Sequence, residues 1–238
     1  MSLTVVTISN RTPTEPYYHF GAMMGSFRRF GVEPVVLGMD EPWFGLVTKP
    51  RTLRKWLLEG NCATDCLIFV DAWDVICLEH PEKIEQAWKE MGSPWICGAE
   101  KALFPPGDES KWPDSSSSYR FLNSGVIIST PADMLAVLNA MDPDNLPSDH
   151  EREDGSQYHA NDQSDFQAQF LAQPIPMRLD TECHFVWNLC DVAESECEIQ
   201  EDGLVKNLET KTMPMILHAN GGSKDKKPFV SVLQKLRL

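Results

Sequence analysis

Short apolar runs alternate along this chain with stretches whose apolar positions recur every three or four residues, which predicts strands alternating with helices. Residues 3–8 (LTVVTI) are apolar and β-branched and predict a buried first strand. In residues 17–30 (YYHFGAMMGSFRRF), Phe20, Met23, Met24, Phe27 and Phe30 fall on one helical side, and Gly31 ends the helix. A second strand (EPVVLGM), a helix over 49–60 stopped by Gly60, and a third strand (CLIFVD) follow. A helix over 81–92 opens on Pro81 and closes on Gly92, the usual asymmetry of these two residues. Strands PWICGAE and NSGVIIST (123–130) come next, then a helix over 131–141. Residues 142–160 are acidic and marked by Pro and Gly, and predict a long surface loop free to move. A helix over 161–173, a hairpin in 198–207 turning at Asp202-Gly203, a late strand in 213–224 and a last helix with Val230, Leu233 and Leu236 complete the pattern. This alternation predicts one α/β domain over residues 1–238, with a mixed, mostly parallel central sheet flanked by helices.

Composition narrows the partners. The 238 residues are 42% hydrophobic, enough for a core, and carry a net charge of −14. That charge argues against broad contact with a nucleic-acid backbone. It leaves room for a small polyanion held through a metal, because a dication reverses the local sign. The seven cysteines are scattered, and Cys62 and Cys66 have no matching second pair, so they read as reduced thiols and not as a zinc site. The N-terminal MSLTVVTISN has no basic n-region, and no run approaches the ~18 apolar residues of a membrane span. Together these predict a soluble cytoplasmic protein without a membrane partner.

The candidate chemistry sits in FVDAWDVI. Asp71 and Asp74 stand three residues apart where a buried strand ends, and ligands of open α/β sheets collect beyond the carboxyl ends of strands. Two such carboxylates can converge on one hard cation, or simply cap the turn and the helix that follows. His218 also ends an apolar strand, ahead of the glycine-containing, lysine-bearing loop ANGGSK. Two Asp and one His suit Mn²⁺ or Mg²⁺. The loop lacks the pattern of a P-loop.

Segments in the same order along most of the chain carry a family resemblance. TVVTISNRT, VEPVVLGMDEPWFG, KPRTLRKWL, FVDAWDVI, GAEKALFPP with KWPD, YRFLNSGVIIS, NDQSDF, LDTECHFVWNL and ILHANGGSK resemble the glycosyltransferase domain of the procollagen lysyl hydroxylase/glycosyltransferase family. More broadly they resemble metal-dependent GT-A glycosyltransferases. The resemblance implies a UDP-sugar donor, Mn²⁺ (or Mg²⁺) on its diphosphate, and hexosyl or pentosyl transfer to an acceptor hydroxyl. That hydroxyl belongs to a glycan, a protein side chain, a metabolite or a modified base. It implies Asp71, Asp74 and His218 as metal ligands. For the nucleotide and sugar it points to Thr7, Asn10, Lys49, Trp73 (stacked on uracil), Asn123, Ser124, Asn220, Gly221 and Lys224. Asp162 and Gln163 match the acid-Gln pair that faces the sugar, and Asn161 stands where the family has another acid. A neutral amide cannot accept a proton, so Asp162 becomes the leading catalytic carboxylate, with Glu100 and Asp114 behind it. Asp180 and Trp187 read as acceptor wall or packing, and the DSSSS run (114–118) as a mobile lid. The competing readings are a non-catalytic sugar-nucleotide-binding module on the same fold and a nucleotidyltransferase. SNRTPTEP lacks the glycine-rich loop that the latter needs.

Overall fold

The computed structural model describes residues 3–10, 19–39, 41–92, 95–152, 154, 156–221 and 227–238. In chain order the strands and helices are β1 (Leu3–Ile8), α1 (Phe20–Arg28), β2 (Val35–Leu37), α2 (Thr48–Leu58), β3 (Cys66–Val70), β4 (Val75–Cys77), α3 (Pro81–Glu90), β5 (Trp95–Glu100), β6 (Phe121–Ser129), α4 (Pro131–Met141), β7 (His150–Glu151), β8 (Gln157–Tyr158), α5 (Asp162–Ala172), β9 (Arg178–Asp180), β10 (Val186–Asn188), β11 (Cys197–Ile199), β12 (Val205–Asn207), β13 (Ile216–His218) and α6 (Lys227–Leu236).

The large sheet has the order β2-β1-β3-β6-β5-β9. β1 pairs in parallel with β2 and β3, β9 in parallel with β5, and β6 runs antiparallel between β3 and β5. β3 shows why its sequence is a continuous apolar run. Cys66, Ile68 and Val70 face one core layer with Met23, Phe27, Ile84 and Trp88 of α1 and α3. Leu67 and Phe69 face the other, with Leu53, Val137, Phe166 and Phe170 of α2, α4 and α5. A strand covered on both faces carries apolar side chains at every position. A second sheet, β10-β13-β4, lies beyond it, with β13 parallel to β10 and antiparallel to β4. Its own core includes Ile76, Trp187, Leu217, Phe229 and Val232.

Helix starts follow local chemistry. Pro81 opens α3, Thr130 Oγ1 accepts the Asp133 N–H at 3.0 Å to cap α4, and Asn161 caps α5. The predicted hairpin forms as β11 and β12, with Gly203 at φ 86° in its turn.

Two expected mobile segments are tied down. Arg51 donates to the carbonyls of Pro143 and Leu146 and to Ser148 Oγ, and residues 150–158 contain the β7–β8 pair. In the serine run, Ser116 donates to Glu182, Ser117 to the Thr181 carbonyl, and Ser118 to Glu209 through both its N–H and its hydroxyl. This run forms a tethered turn. Periodicity could not reveal these contacts, because their partners lie 64 to 97 residues away along the chain.

Candidate functional site

The large sheet and the second sheet meet where β3 ends. Val70 is the last residue buried among core side chains, and the chain leaves the sheet at Asp71, whose N–H donates to the Gly125 carbonyl of β6 at 2.7 Å. Three residues on, the Asp74 carbonyl accepts the Ala219 N–H at 2.8 Å, and β4 begins its pairing with β13 in the register Val75↔His218. Backbone hydrogen bonds therefore hold both acids against the strand end that carries His218. The donor atoms of Asp71, Asp74 and His218 lie within 4.8 Å of one another.

His218 is buried. Its Nε2 makes no hydrogen bond and lies 3.4 Å from Asp74 Oδ1 and 3.9 Å from Asp71 Oδ2. Its Nδ1 lies 2.7 Å from Asn188 Oδ1. Burial alone would lower the imidazole pKa, but Asp74, then Asp71 and Glu100, outweigh it and hold it above the ordinary histidine value. Two carboxylates and an orphaned buried imidazole nitrogen, converging within one small space, fit a hard or borderline divalent cation.

Lys49 enters from the first turn of α2 and is buried between two acids, with Nζ 2.7 Å from Asp71 Oδ1 and 3.0 Å from Asp162 Oδ2. Burial opposes its charge, but Asp162 and Asp71 outweigh that and hold the ammonium above its ordinary pKa. Lys49 takes one Asp71 oxygen and leaves Oδ2 toward His218.

Glu100 ends β5. Its Oε1 accepts from Gln163 Nε2 at 2.7 Å and its Oε2 from Asn220 Nδ2 at 2.6 Å. Burial pushes its carboxyl up to about 7, against those hydrogen bonds. These groups line a cavity of about 380 Å³, with Asn123, Ser124, Asn161, Asp191 and Gly221 also on its wall.

The other expected residues divide. Asn123 Oδ1 accepts the Gly125 N–H at 3.0 Å, and the Ser124 N–H donates to Gln163 Oε1 at 3.3 Å, so both border the cavity with partners already made. Gln163 and Asn220 are turned onto Glu100, and Asn220 Oδ1 also accepts the Cys190 N–H at 2.9 Å. Both therefore hold an acid at the cavity wall. Asn161 Oδ1 accepts the N–H groups of Gln163 and Ser164, so the amide that replaces the family's acid is the cap of α5. Thr7 is a correction: it is buried, its hydroxyl donates to the Val70 carbonyl at 2.7 Å, and it ties β1 to β3. Trp73 is half-buried against Phe20, with ring centroids 5.7 Å apart, and is not on the cavity wall. Asn10 is half-buried beyond β1, and Asp114 is exposed outside the cavity. Lys224 lies outside the described residues. Asp180 and Trp187 pack: Asp180 accepts three backbone N–H groups, from His184, Phe185 and Val186, and Trp187 Nε1 donates to Tyr119 Oη. Sequence reasoning missed Asn188, Gly98 and Gly125. Only the fold brings Asn188 and Gly125 beside His218, and Gly98 beside Asn188.

The layered α/β sheet, with an Asp-x-x-Asp turn at a strand end and a histidine facing it, has the GT-A fold. A solved glycosyltransferase "involved in the glycosylation of the major capsid of PBCV-1" shares this fold over 100% of this chain and 99% of its own, with a TM-score of 0.52 and 11% identity. The chain belongs to the PLOD GT domain family, whose model matches residues 1–231. It is 30% identical to the multifunctional procollagen lysine hydroxylase and glycosyltransferase of Caenorhabditis elegans, over 93% of this chain and 31% of that protein. It is 28% identical to human procollagen-lysine,2-oxoglutarate 5-dioxygenase 1, over 94% of this chain and 30% of that protein. The chain thus spans about a third of the length of these relatives. Among the described residues no helix is long and apolar enough to cross a membrane.

Proposed function

We propose that this chain acts as one glycosyltransferase unit, moving a sugar from a UDP-sugar to an acceptor hydroxyl with the help of Mn²⁺ or Mg²⁺ at Asp71, Asp74 and His218. The observation that carries this reading is the orphaned Nε2 of His218, buried and facing two carboxylates in a family of glycosyltransferase domains. A dication held there supplies positive charge where the diphosphate leaving group gains negative charge. Lys49 keeps the Asp71 carboxylate oriented and offsets part of the cavity's negative charge. The acceptor oxygen forms the new bond to the sugar as the sugar–phosphate bond breaks, and UDP leaves. The acceptor's proton passes to a carboxylate. Glu100 suits that task better than Asp162, because its carboxyl sits near 7 and its partners are neutral amides, whereas Asp162 is held by Lys49. The amides of Gln163 and Asn220 hold Glu100 at the cavity wall.

Calorimetry of UDP into the protein, with Mn²⁺ and then with EDTA, tests the donor site. Binding that needs Mn²⁺ supports it, and binding in neither condition removes the UDP-sugar reading. UDP release across a set of UDP-sugars then separates an enzyme from a binding module, which would bind UDP yet release none from any sugar.

A further inference from the structure

The geometry points to Asn188 as a positioning residue that sets the tautomer of His218, leaving the Nε2 lone pair aimed at Asp71 and Asp74 before any cation arrives. This rests on the metal reading of the site given above. Asn188 ends β10, in register with His218 of β13, and is fully buried. Its Nδ2 donates to the Ala99 carbonyl at 2.8 Å. That bond fixes the amide, because a flipped Asn188 would set its oxygen against the Ala99 carbonyl. The amide oxygen must then be what meets His218 Nδ1 at 2.7 Å. An oxygen there accepts and cannot donate, so Nδ1 carries the hydrogen. In the neutral ring the other nitrogen is then bare.

The surroundings are shaped to keep this arrangement. A Cβ at Gly98 would stand 2.6 Å from Asn188 Nδ2, so glycine at that point of β5 is what admits the amide. A Cβ at Gly125 would stand 2.1 Å from His218 Cε1, so glycine in β6 is what admits the ring. The carboxylates of Asp74 and Asp71, at 3.4 and 3.9 Å, would otherwise draw a hydrogen to Nε2. Asn188 opposes them with the shorter contact. A partner that holds one ring nitrogen as a donor so that the other can bind a cation is a recurrent outer-shell device.

The test reads the tautomer directly. ¹⁵N NMR of histidine-labelled, metal-free protein, at a pH above the imidazole's titration, distinguishes a protonated from a bare nitrogen. Wild type is expected to show His218 with Nδ1 protonated and Nε2 bare, and the reverse overturns the proposal whatever the variants do. Asn188→Asp keeps an acceptor opposite Nδ1 and faces the Ala99 carbonyl with an oxygen that must carry a proton to replace the lost donor, while Asn188→Leu removes both acceptor and donor. Titration with Mn²⁺ followed by EPR should find Asn188→Leu weakened by roughly 10–100-fold and Asn188→Asp, which keeps the acceptor but loses the donor to the Ala99 carbonyl, weakened less. Equal weakening of both variants, with the wild-type tautomer retained in each, would mean a packing role only and overturns the assignment. If Asn188→Leu does not fold, Gly98→Ala, which crowds Asn188 without altering its chemistry, should disturb the same tautomer, and an undisturbed one counts against the proposal. The metal reading fails separately. Should wild type bind no Mn²⁺ while its tautomer depends on Asn188, the positioning stands and the metal site does not.

Discussion

Replacing Gly125 by alanine puts a single methyl group where the ring of His218 lies. The added carbon would sit 2.1 Å from Cε1, 2.7 Å from Nε2 and 2.8 Å from Nδ1, all inside the 3.4 Å at which ordinary contact begins, and the first by more than 1 Å. The ring has little room to yield, being 2% exposed and held at Nδ1 by Asn188. Gly125 has no positive φ and lies inside β6, so the alanine backbone itself is unstrained there. Removing a glycine from a strand returns about 0.5–1 kcal/mol of chain entropy. Overpacking costs about 1–3 kcal/mol. The net expectation is a folded protein destabilised by ~1–2 kcal/mol. The site fares worse than the fold, since the ring that carries Nε2 must move to make room for the methyl group. Mn²⁺ titration of Gly125→Ala beside His218→Ala, with denaturant unfolding of each, separates the two effects. Gly125→Ala should approach His218→Ala in metal affinity while remaining folded. Mn²⁺ binding of Gly125→Ala equal to wild type would refute both the ring's position and its role.

Two further perturbations probe the charges. Lys49→Met leaves Asp71 and the buried Asp162 without their cation, and breaking one partner of a buried pair costs about 3–5 kcal/mol. Adding Asp162→Asn should recover part of that loss in denaturant unfolding, and a Lys49→Met variant within 1 kcal/mol of wild type would contradict the pairing. For Glu100, burial raises the folded-state carboxyl from 4.5 to about 7, so the fold takes up its proton more readily than the unfolded chain does. Its contribution is then present in full below 4.5 and is lost as pH rises through about 7, with a ceiling of ~3 kcal/mol in metal-free protein. The stability difference between wild type and Glu100→Gln should therefore shift in favour of wild type on acidification. A difference that is flat with pH would remove the buried, raised carboxyl.

What could be read in the residues was what their neighbours along the chain betray. Asp71 stood out because a run buried on both faces stops there, and His218 because it ends an equally apolar strand. Element types followed from period and from Pro, Gly and cap residues, which act over a few positions. Partnerships across the fold could not be read this way. Lys49 read as a nucleotide contact, and only the approach of α2 and α5 shows it spanning Asp71 and Asp162. Thr7 was misread because a hydroxyl at a strand end resembles a ligand contact until the facing Val70 carbonyl is seen. Asn161 raised doubt about catalysis as a missing acid. As the cap of α5 it has a local structural reason to be an amide, and Glu100 supplies a carboxylate nearby.

The three donor atoms come from both sheets, and this ties the site to the way the sheets dock. Asp71 leaves β3 of the large sheet, Asp74 precedes β4, and His218 ends β13 of the second sheet. Apolar contact does much of the docking, since Val75, Val186 and Ile216 share a core layer with Val70 and Val126. The Asn188 amide adds a polar tie, reaching from β10 through the gap at Gly98 to the Ala99 carbonyl of β5. One side chain therefore bridges the two sheets and contacts the His218 ring. Against this, Asp71, Asp74, Asp162 and Glu100 crowd one cavity, and Lys49 is the one lysine or arginine on its described wall. Like charges at that spacing work against the docked arrangement. A dication that binds only when both sheets are in place would relieve the repulsion and stabilise the docking by mass action.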